Sequence, residues 1–385
     1  MKVLLVSLFM PHPAAPHAGG RYVFELLRHL SGEHRVTLAT RYQADEELLL
    51  ADLRPYCHRL HSSPYPAVAR RGLLGKLRLV GSYLAFSRFV DRLIAEGDYD
   101  LVQVEWVETA LLIRRHKVPM LLDAHDVLTK PFRRRAAAGG IGARLLAALV
   151  QRVELAIMGR FDRIITLSDF DNDFLRSIWP AAPAVTVPIP AGLDFRGRDW
   201  VRQPATILFL ASYRYRPVNV EAALWFARKV LPLVRASVPE ARFIVAGDGP
   251  PPALLALNDE PGIEVVGYVK DLERCHKTAA LFVAPILTGG GIIVKLLDAL
   301  AAGTPTVSTT FGNEGVGAMP GRDLLVADGP EEFAAAVIRL LSDRALAEEV
   351  GGNGRLYVTQ RYGRGAVLAR LDDLYRAFEP AGGRQ

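Results

Sequence analysis

Cysteine is nearly absent, with Cys57 and Cys275 the only two in 385 residues. They are too few for a disulfide framework and lack thiolate metal-ligand spacing, so a packed core must hold the fold and a reducing cytosol is the expected compartment. No uninterrupted apolar run reaches the roughly 20 residues that a membrane helix needs. The net charge of +6 is not extreme, and no nucleic-acid-binding motif accompanies it, so nucleic acid is not an expected partner. No Ser-His-Asp set and no paired carboxylates of the glycoside-cleaving kind stand out either.

Half of the residues are hydrophobic and 23% are charged, the make-up of an ordinary globular protein. The length suits two domains of roughly 150–200 residues each. The opening MKVLLVSLFMPHPAAPHA imitates a secretory signal, but it also reads as a buried strand, Val3–Phe9, then a Pro-rich loop and a helix from Gly20. The strand reading is preferred, because helical apolar spacing follows at Tyr22, Leu26, Leu27 and Leu30.

Short apolar strands are then expected at Arg35–Thr40, Leu101–Glu105, Met120–Ala124, Arg163–Ser168 and Val185–Pro188. Helices fall between them at Leu73–Ala95, Ala143–Gly159 and Asp169–Ile178. Such alternation predicts an α/β fold with a parallel sheet covered on both faces. Ala181–Pro204, rich in Pro and Gly, reads as a linker. The rhythm then restarts, with strands at Ala205–Leu210, Arg242–Ala246, Gly262–Val266 and Leu281–Ala284, and a helix over Glu221–Arg235. Two Rossmann-like halves of similar size are expected, with ligands outside the carboxyl ends of the strands, in a cleft between the domains.

Thr288–Glu314 carries the most chemistry. Three glycines, Gly289–Gly291, open onto an apolar helix holding Lys295 and Asp298, which Gly303 and Pro305 stop. Free backbone amides at a helix start favour an anion, and Lys295 adds a point charge. Asp298 lies one turn from Lys295. A phosphate site and a tight glycine turn packed on a neighbouring strand both fit this stretch. Basic residues gather in two other segments, one with Arg70, Arg71, Lys76, Arg78, Arg88 and Arg92, the other with Arg133, Arg134, Arg135, Arg144 and Arg152. Both interleave them with Leu, Val and Phe, which suits either an anionic membrane surface or a solvated helix face.

The order of motifs resembles the GT-B retaining glycosyltransferases, specifically the bacterial sugar transferases of family 4, also called glycosyl transferases group 1. The resemblance spans almost the whole chain. It rests on GGR at Gly19–Arg21, HDV at His125–Val127, TLSDFD at Thr166–Asp171 and PIPAGLD before the linker. AGDGP at Ala246–Pro250, GYVKDL at Gly267–Leu272 and the run from Ala284 to Gly315 complete it.

The resemblance implies two Rossmann-like domains facing across a cleft. Residues 1–192 would bind the acceptor, residues 193–365 the nucleotide sugar, and a final helix, 366–380, would cross back onto the first domain. It also implies residue roles. Amides at Gly290, Gly291 and Ile292 would hold the donor diphosphate, Lys295 would neutralise it in place of a metal, and Asp298 would accept from the ribose hydroxyls. Main-chain groups at Gly267–Val269, around Tyr268, would read the base. Gly19 and Gly20 would let the first loop approach, and His125 would sit at the bond being broken. Gly247, Gly249 and Glu314 complete the donor set.

The sequence departs from the family pattern at several positions. Gly290 stands where a Glu is usual and Ile293 where an Arg is, while Asp298 is one methylene shorter than the usual Glu. Ala191 replaces an Asn, and Ala211–Ser212 replace a Gly-Arg pair, so Arg214 or Arg216 is the candidate for the second positive charge. The implied activity is metal-independent, retaining transfer from a UDP- or GDP-linked sugar to a glycan, lipid-linked or small-molecule acceptor, with no further cofactor. The expected location is the cytoplasm, with peripheral contact at the inner membrane face. A nucleotide-sugar 2-epimerase and a non-catalytic GT-B partner subunit are the rival readings.

Overall fold

The computed structural model describes residues 1–15, 18–65, 73–191, 201–214, 216–289 and 291–379. The chain forms two compact units. One is Met1–Ile189 with the chain from Leu368 onward, and the other is Pro190–Val367.

The first unit is built on seven parallel strands: β1 Lys2–Ser7, β2 Arg35–Tyr42, β3 Arg59–Pro64, β4 Leu101–Glu105, β5 Met120–Asp123, β6 Arg163–Thr166 and β7 Ala184–Thr186. Their order is β3-β2-β1-β4-β5-β6-β7. Val3–Val6 and Leu101–Glu105 are buried throughout, which is why they read as unbroken apolar runs rather than alternating ones. The connecting helices are α1 Ala18–Glu33, α2 Leu73–Glu96, α3 Thr129–Ala138, α4 Ile141–Met158 and α5 Asp169–Ile178. Ser168 caps α5 by accepting from the Asp171 amide at 3.0 Å.

The second unit holds six parallel strands: β8 Gln203–Leu210, β9 Arg242–Ala246, β10 Ile263–Gly267, β11 Ala279–Ala284, β12 Thr306–Ser308 and β13 Leu325–Val326. They run in the order β10-β9-β8-β11-β12-β13. Its helices are α6 Pro217–Trp225, α7 Leu231–Ser237, α8 Pro252–Leu255, α9 Leu272–Thr278, α10 Val294–Ala301, α11 Thr310–Asn313, α12 Pro330–Ser342 and α13 Arg344–Tyr362. The last helix, α14 Arg364–Arg376, begins in the second unit and ends in the first. There His29 Nε2 lies 2.6 Å from Asp372, and the Tyr375 ring stacks on His34.

Both sheets reverse strand order at one place, between β1 and β4 in the first and between β8 and β11 in the second. Each therefore has the Rossmann arrangement, with a crevice at the carboxyl ends beside the reversal.

Several elements differ from expectation. Among the described residues the edge strand β3, RLHSSP, pairs only with β2, and a half-solvated edge needs no apolar run. The Arg-rich α3 also escapes the sequence reading, since it shows no apolar periodicity. The single helix expected over Glu221–Arg235 is three pieces, with a π-turn at Phe226–Val230 between α6 and α7. Pro232 lacks an amide hydrogen, and the ladder widens just before it.

Candidate active site

In the first unit the carboxyl ends of β4 and β5 meet beside the strand-order reversal. Glu105 ends β4 and Asp123 ends β5, and both are completely buried. The chain then turns with positive φ at Trp106 (65°) and His125 (57°), a conformation that bulky side chains adopt only under constraint. The two turns lay the rings on one another, stacked 4.0 Å apart at 15°.

His125 Nε2 lies 2.8 Å from Glu105 Oε2. Gln103 Nε2 donates to Glu105 Oε1 at 2.6 Å, and the Tyr375 hydroxyl of α14 donates to Gln103 Oε1. On the other side Tyr22 of α1 donates to Asp123 Oδ2 at 2.9 Å, and the His125 amide donates to Asp123 Oδ1 at 3.2 Å. The result is a buried polar chain from α1 through His125 to α14.

The His125–Glu105 contact has the geometry of an ion pair, but burial favours the neutral forms of both groups. Burial pushes the Glu105 carboxyl up to about 8 and lowers the His125 imidazole. Asp123 rises to about 7, chiefly by burial and then by the neighbouring Glu105. A protonated Glu105 donates to Nε2, which places the imidazole's own proton on Nδ1.

Among the described residues, Glu105, Asp123 and His125 form the only His/Cys/Asp/Glu group whose ligand atoms lie close enough together for a metal, all within 4.8 Å of one another. Tyr22, Gln103 and His125 itself already engage those carboxyls. The three groups are thus joined in a hydrogen-bonded network, with both carboxyls raised well above their ordinary values by burial.

In the second unit three loops are stitched together at the carboxyl ends of β8, β9 and β10. The Ala211 amide donates to Ala246 O, the Tyr213 amide to Asp248 O and the Gly247 amide to Gly267 O. Gly247 has φ 137°, and a Cβ there would stand 1.7 Å from the Ala211 carbonyl oxygen. A Cβ on Gly249 would stand 2.9 Å from that of Arg214. Both glycines of AGDGP therefore serve loop packing, a reason independent of any ligand.

Lys295 sits in the first turn of α10. Its Nζ donates to Asn219 Oδ1 at 2.6 Å, and Asn219 Nδ2 donates to the Ser212 carbonyl at 2.6 Å. The ammonium also lies 5.5 Å from the Phe209 ring centroid. Lys295 as a residue is only partly buried, yet burial of its charge, and then Arg216 nearby, lower its pKa to about 7. Asp298 lies one turn further along α10, also partly buried.

Gly291 has φ 75°, and a Cβ on Gly315 would stand 2.6 Å from the Gly291 oxygen. The glycine loop and the GNEG turn are thus in backbone contact. Beside them a concavity at the ends of β11 and β12 is lined by Ile286, Leu287, Thr309, Thr310, Glu314 and Asp328, among others. Tyr268 and Val269 follow β10, with Tyr268 71% exposed.

Several sequence readings need correction. The helix expected from Gly20 starts two residues earlier, at Ala18, so Gly19 as well as Gly20 lies in the first turn of α1. Gly291 and Ile292 are not the helix N-terminus, because α10 starts at Val294. The glycine conformation at Gly291 breaks the helix before it can reach them. Arg214 is held by Asp248 through Nε and Nη2 at 2.9 and 3.1 Å, and of the two arginines it is Arg216 whose charge is felt at Lys295. Gly290 lies outside the described residues, as do His17, Arg70, Arg71 and the Lys76 side chain.

Sequence reasoning missed Tyr22, Gln103, Glu105, Trp106, Asn219, Asp248 and Tyr375. Glu105 carried a usable signal, since a carboxylate closing an otherwise apolar strand must find a partner. Asn219 carried none beyond standing at the start of a helix.

Two family models match the chain, Glycosyltransferase Family 4 over residues 19–196 and Glycosyl transferases group 1 over residues 204–343. The phosphatidyl-myo-inositol mannosyltransferase of Mycolicibacterium smegmatis is 26% identical, covering 77% of this chain and 76% of its own. Among solved structures, sucrose-phosphate synthase from Thermosynechococcus elongatus superposes with a TM-score of 0.70 at 20% identity over 98% of each chain. HepE from Anabaena, in complex with UDP and glucose, gives a TM-score of 0.63 at 13% identity, over 98% of this chain and all of that one. With matching models over both units and this fold, the chain belongs to the family 4, group 1 glycosyltransferases, enzymes of GT-B fold.

Proposed function

We propose that the enzyme transfers a sugar from a UDP- or GDP-linked donor, with retention and without a metal, to a glycan, lipid-linked or small-molecule acceptor. The observation that carries this reading is the fixed position of Lys295, held by Asn219 against the loop after β8 at the crevice of the second sheet. An ammonium whose pKa sits near 7 regains its proton when a diphosphate arrives, so its charge develops where the leaving group needs it. Gly291 and Ile292 would offer amides to the diphosphate, and Asp298 would take the ribose. Glu314 would stand at the sugar side of that loop, and Tyr268–Val269 at the base. The proposed domain roles are acceptor binding by the first unit and donor binding by the second.

In the first unit His125 would act at the bond being broken, with Nδ1–H as a donor toward the sugar. Retention then needs no protein nucleophile: the acceptor approaches on the face of the departing diphosphate, whose oxygen takes the acceptor proton. Positioning and charge stabilisation do the work. The engagement of Glu105 and Asp123 by their neighbours supports chemistry without a cation in this unit. The same engagement speaks against a 2-epimerase, whose carboxyls must face the sugar ring.

The test is sugar transfer and donor hydrolysis across UDP- and GDP-sugars, with and without chelator. Wild-type turnover that chelator leaves unchanged is expected, and Lys295→Ala should lower kcat/KM by roughly 10²–10³ with the fold intact. An equally active Lys295→Ala enzyme overturns the assignment. Nucleotide binding without turnover on any donor would instead make the chain a non-catalytic partner. The lipid-linked acceptor includes peripheral contact with an anionic membrane in the same reading.

A further inference from the structure

The outward face of α4 leaves large apolar side chains in water. Ile141, Leu145, Leu146, Leu149 and Val153 are exposed by 77, 66, 49, 59 and 44%. At 100° per residue they fall within an arc of roughly 140°. Ala147, Glu154, Ile157 and Met158 point inward and are buried. Arg152 lies within the exposed arc and Arg144 flanks it, both exposed. The one acid of the helix, Glu154, is on the buried side, where it accepts from the Leu128 and Thr129 amides.

α3 packs against α4 and continues the pattern. From Thr129 to Val153 the sequence has six basic residues and no Asp or Glu, an excess equal to that of the whole chain. Arg135 is exposed with Arg144 and Arg152, while the Arg133 and Arg134 guanidiniums lie 6.0 and 5.9 Å from the Phe174 and Phe170 ring centroids of α5.

This charge pattern selects the occupant. A second copy docked two-fold on this face would set arginines against arginines. An anionic lipid surface takes both features at once, apolar side chains below the headgroups and guanidiniums on the phosphates. No helix among the described residues is long and apolar enough to cross a membrane, so attachment lies in the interfacial plane.

We propose that α4 is the membrane-docking element of the first unit. Ile141, Leu145, Leu149 and Val153 enter an anionic leaflet, and Arg135, Arg144 and Arg152 bind its phosphates. This deepens the lipid-linked acceptor reading and rests on it for its purpose. The docking itself is measured without donor, so failure of transfer and failure of docking are separate results.

The experiment is flotation of the purified full chain with vesicles of phosphatidylcholine alone or with about a third phosphatidylglycerol. Wild type should float only with the anionic vesicles, and less so at high salt. Leu145→Asp/Leu149→Asp should lower partitioning at least roughly tenfold, and each of Arg144→Gln and Arg152→Gln about fivefold. Because all four positions are exposed, melting temperatures should stay unchanged. A Leu149→Trp variant should shift its emission to the blue on adding anionic vesicles. Absence of wild-type binding, or equal binding by Leu145→Asp/Leu149→Asp, overturns the proposal. So does a dimer in light scattering that this double variant dissociates, which would make a second copy the occupant.

Discussion

Replacing Glu105 by glutamine tests the buried chain around His125 through its proton. The Glu105 carboxyl is held at about 8 against an ordinary 4.5, so between those values the folded state keeps a proton that the unfolded chain has released. The unfolded state therefore binds fewer protons, and stability falls as pH rises. The contribution is fully present below about 4.5 and lost by about 8. At 1.36 kcal/mol per unit the whole swing is ~5 kcal/mol, of which ~3 kcal/mol falls between pH 5.5 and 8.5. For a unit of this size that is a fall in melting temperature of roughly 6–12 °C.

Glutamine copies the neutral acid: its Oε1 accepts from Gln103 and its Nε2 donates to His125. It has no proton to lose. Glu105→Gln should melt a few degrees above wild type at pH 5.5, one unit past the unfolded value, and the gap should widen by roughly 6–12 °C at pH 8.5. The slopes that Asp123, Lys295 and the other shifted groups contribute would remain in both proteins, so the comparison isolates Glu105. Calorimetry of the donor-free chain across this range is the assay. A variant destabilised at both pH values would mean that Glu105 is ionised against an imidazolium, and the neutral arrangement would be refuted.

Two other outcomes follow from the second unit. At pH 8 Lys295, with its pKa of about 7, is mostly neutral in the free enzyme. Binding of UDP or GDP should then take up close to one proton, read by calorimetry in two buffers of different ionisation heat, and at pH 6 the uptake should vanish; no uptake at pH 8 would remove Lys295 from the diphosphate. Gly247→Ala should destabilise by about 2–4 kcal/mol in urea unfolding, since its Cβ would collide with the Ala211 carbonyl. An unchanged midpoint would mean that the loop has room.

The architecture was legible because interior parallel strands are continuous apolar runs, and β1, β4, β5, β6 and β9 announce themselves in that way. Where burial is one-sided the signal weakens, and β3 went unread. Lys295 was legible because a cation in an otherwise apolar segment after glycines has few bland explanations. Its keeper Asn219 was not, since its contacts come from the β8 loop, distant in sequence. The network around His125 joins positions 22, 103, 105, 123 and 375, a set that no local spacing can reveal. Arg214 shows the converse limit. Sequence can supply a cation near a site, but only the fold shows that Asp248 holds it.

The bond from Tyr375 to Gln103 sets an order in time as well as in space. The first unit is made of two stretches of chain separated by the entire second unit. Synthesis runs from the N-terminus, so the sheet carrying Glu105 and His125 leaves the ribosome long before the helix that finishes its polar core. Until residue 375 emerges, the Gln103 carbonyl lacks its phenolic donor and the space beside His34 is unfilled. The contiguous second unit can close on itself in the meantime. The histidine's surroundings are thus among the last parts of the molecule to be completed, and a chain that ends early leaves them unfinished.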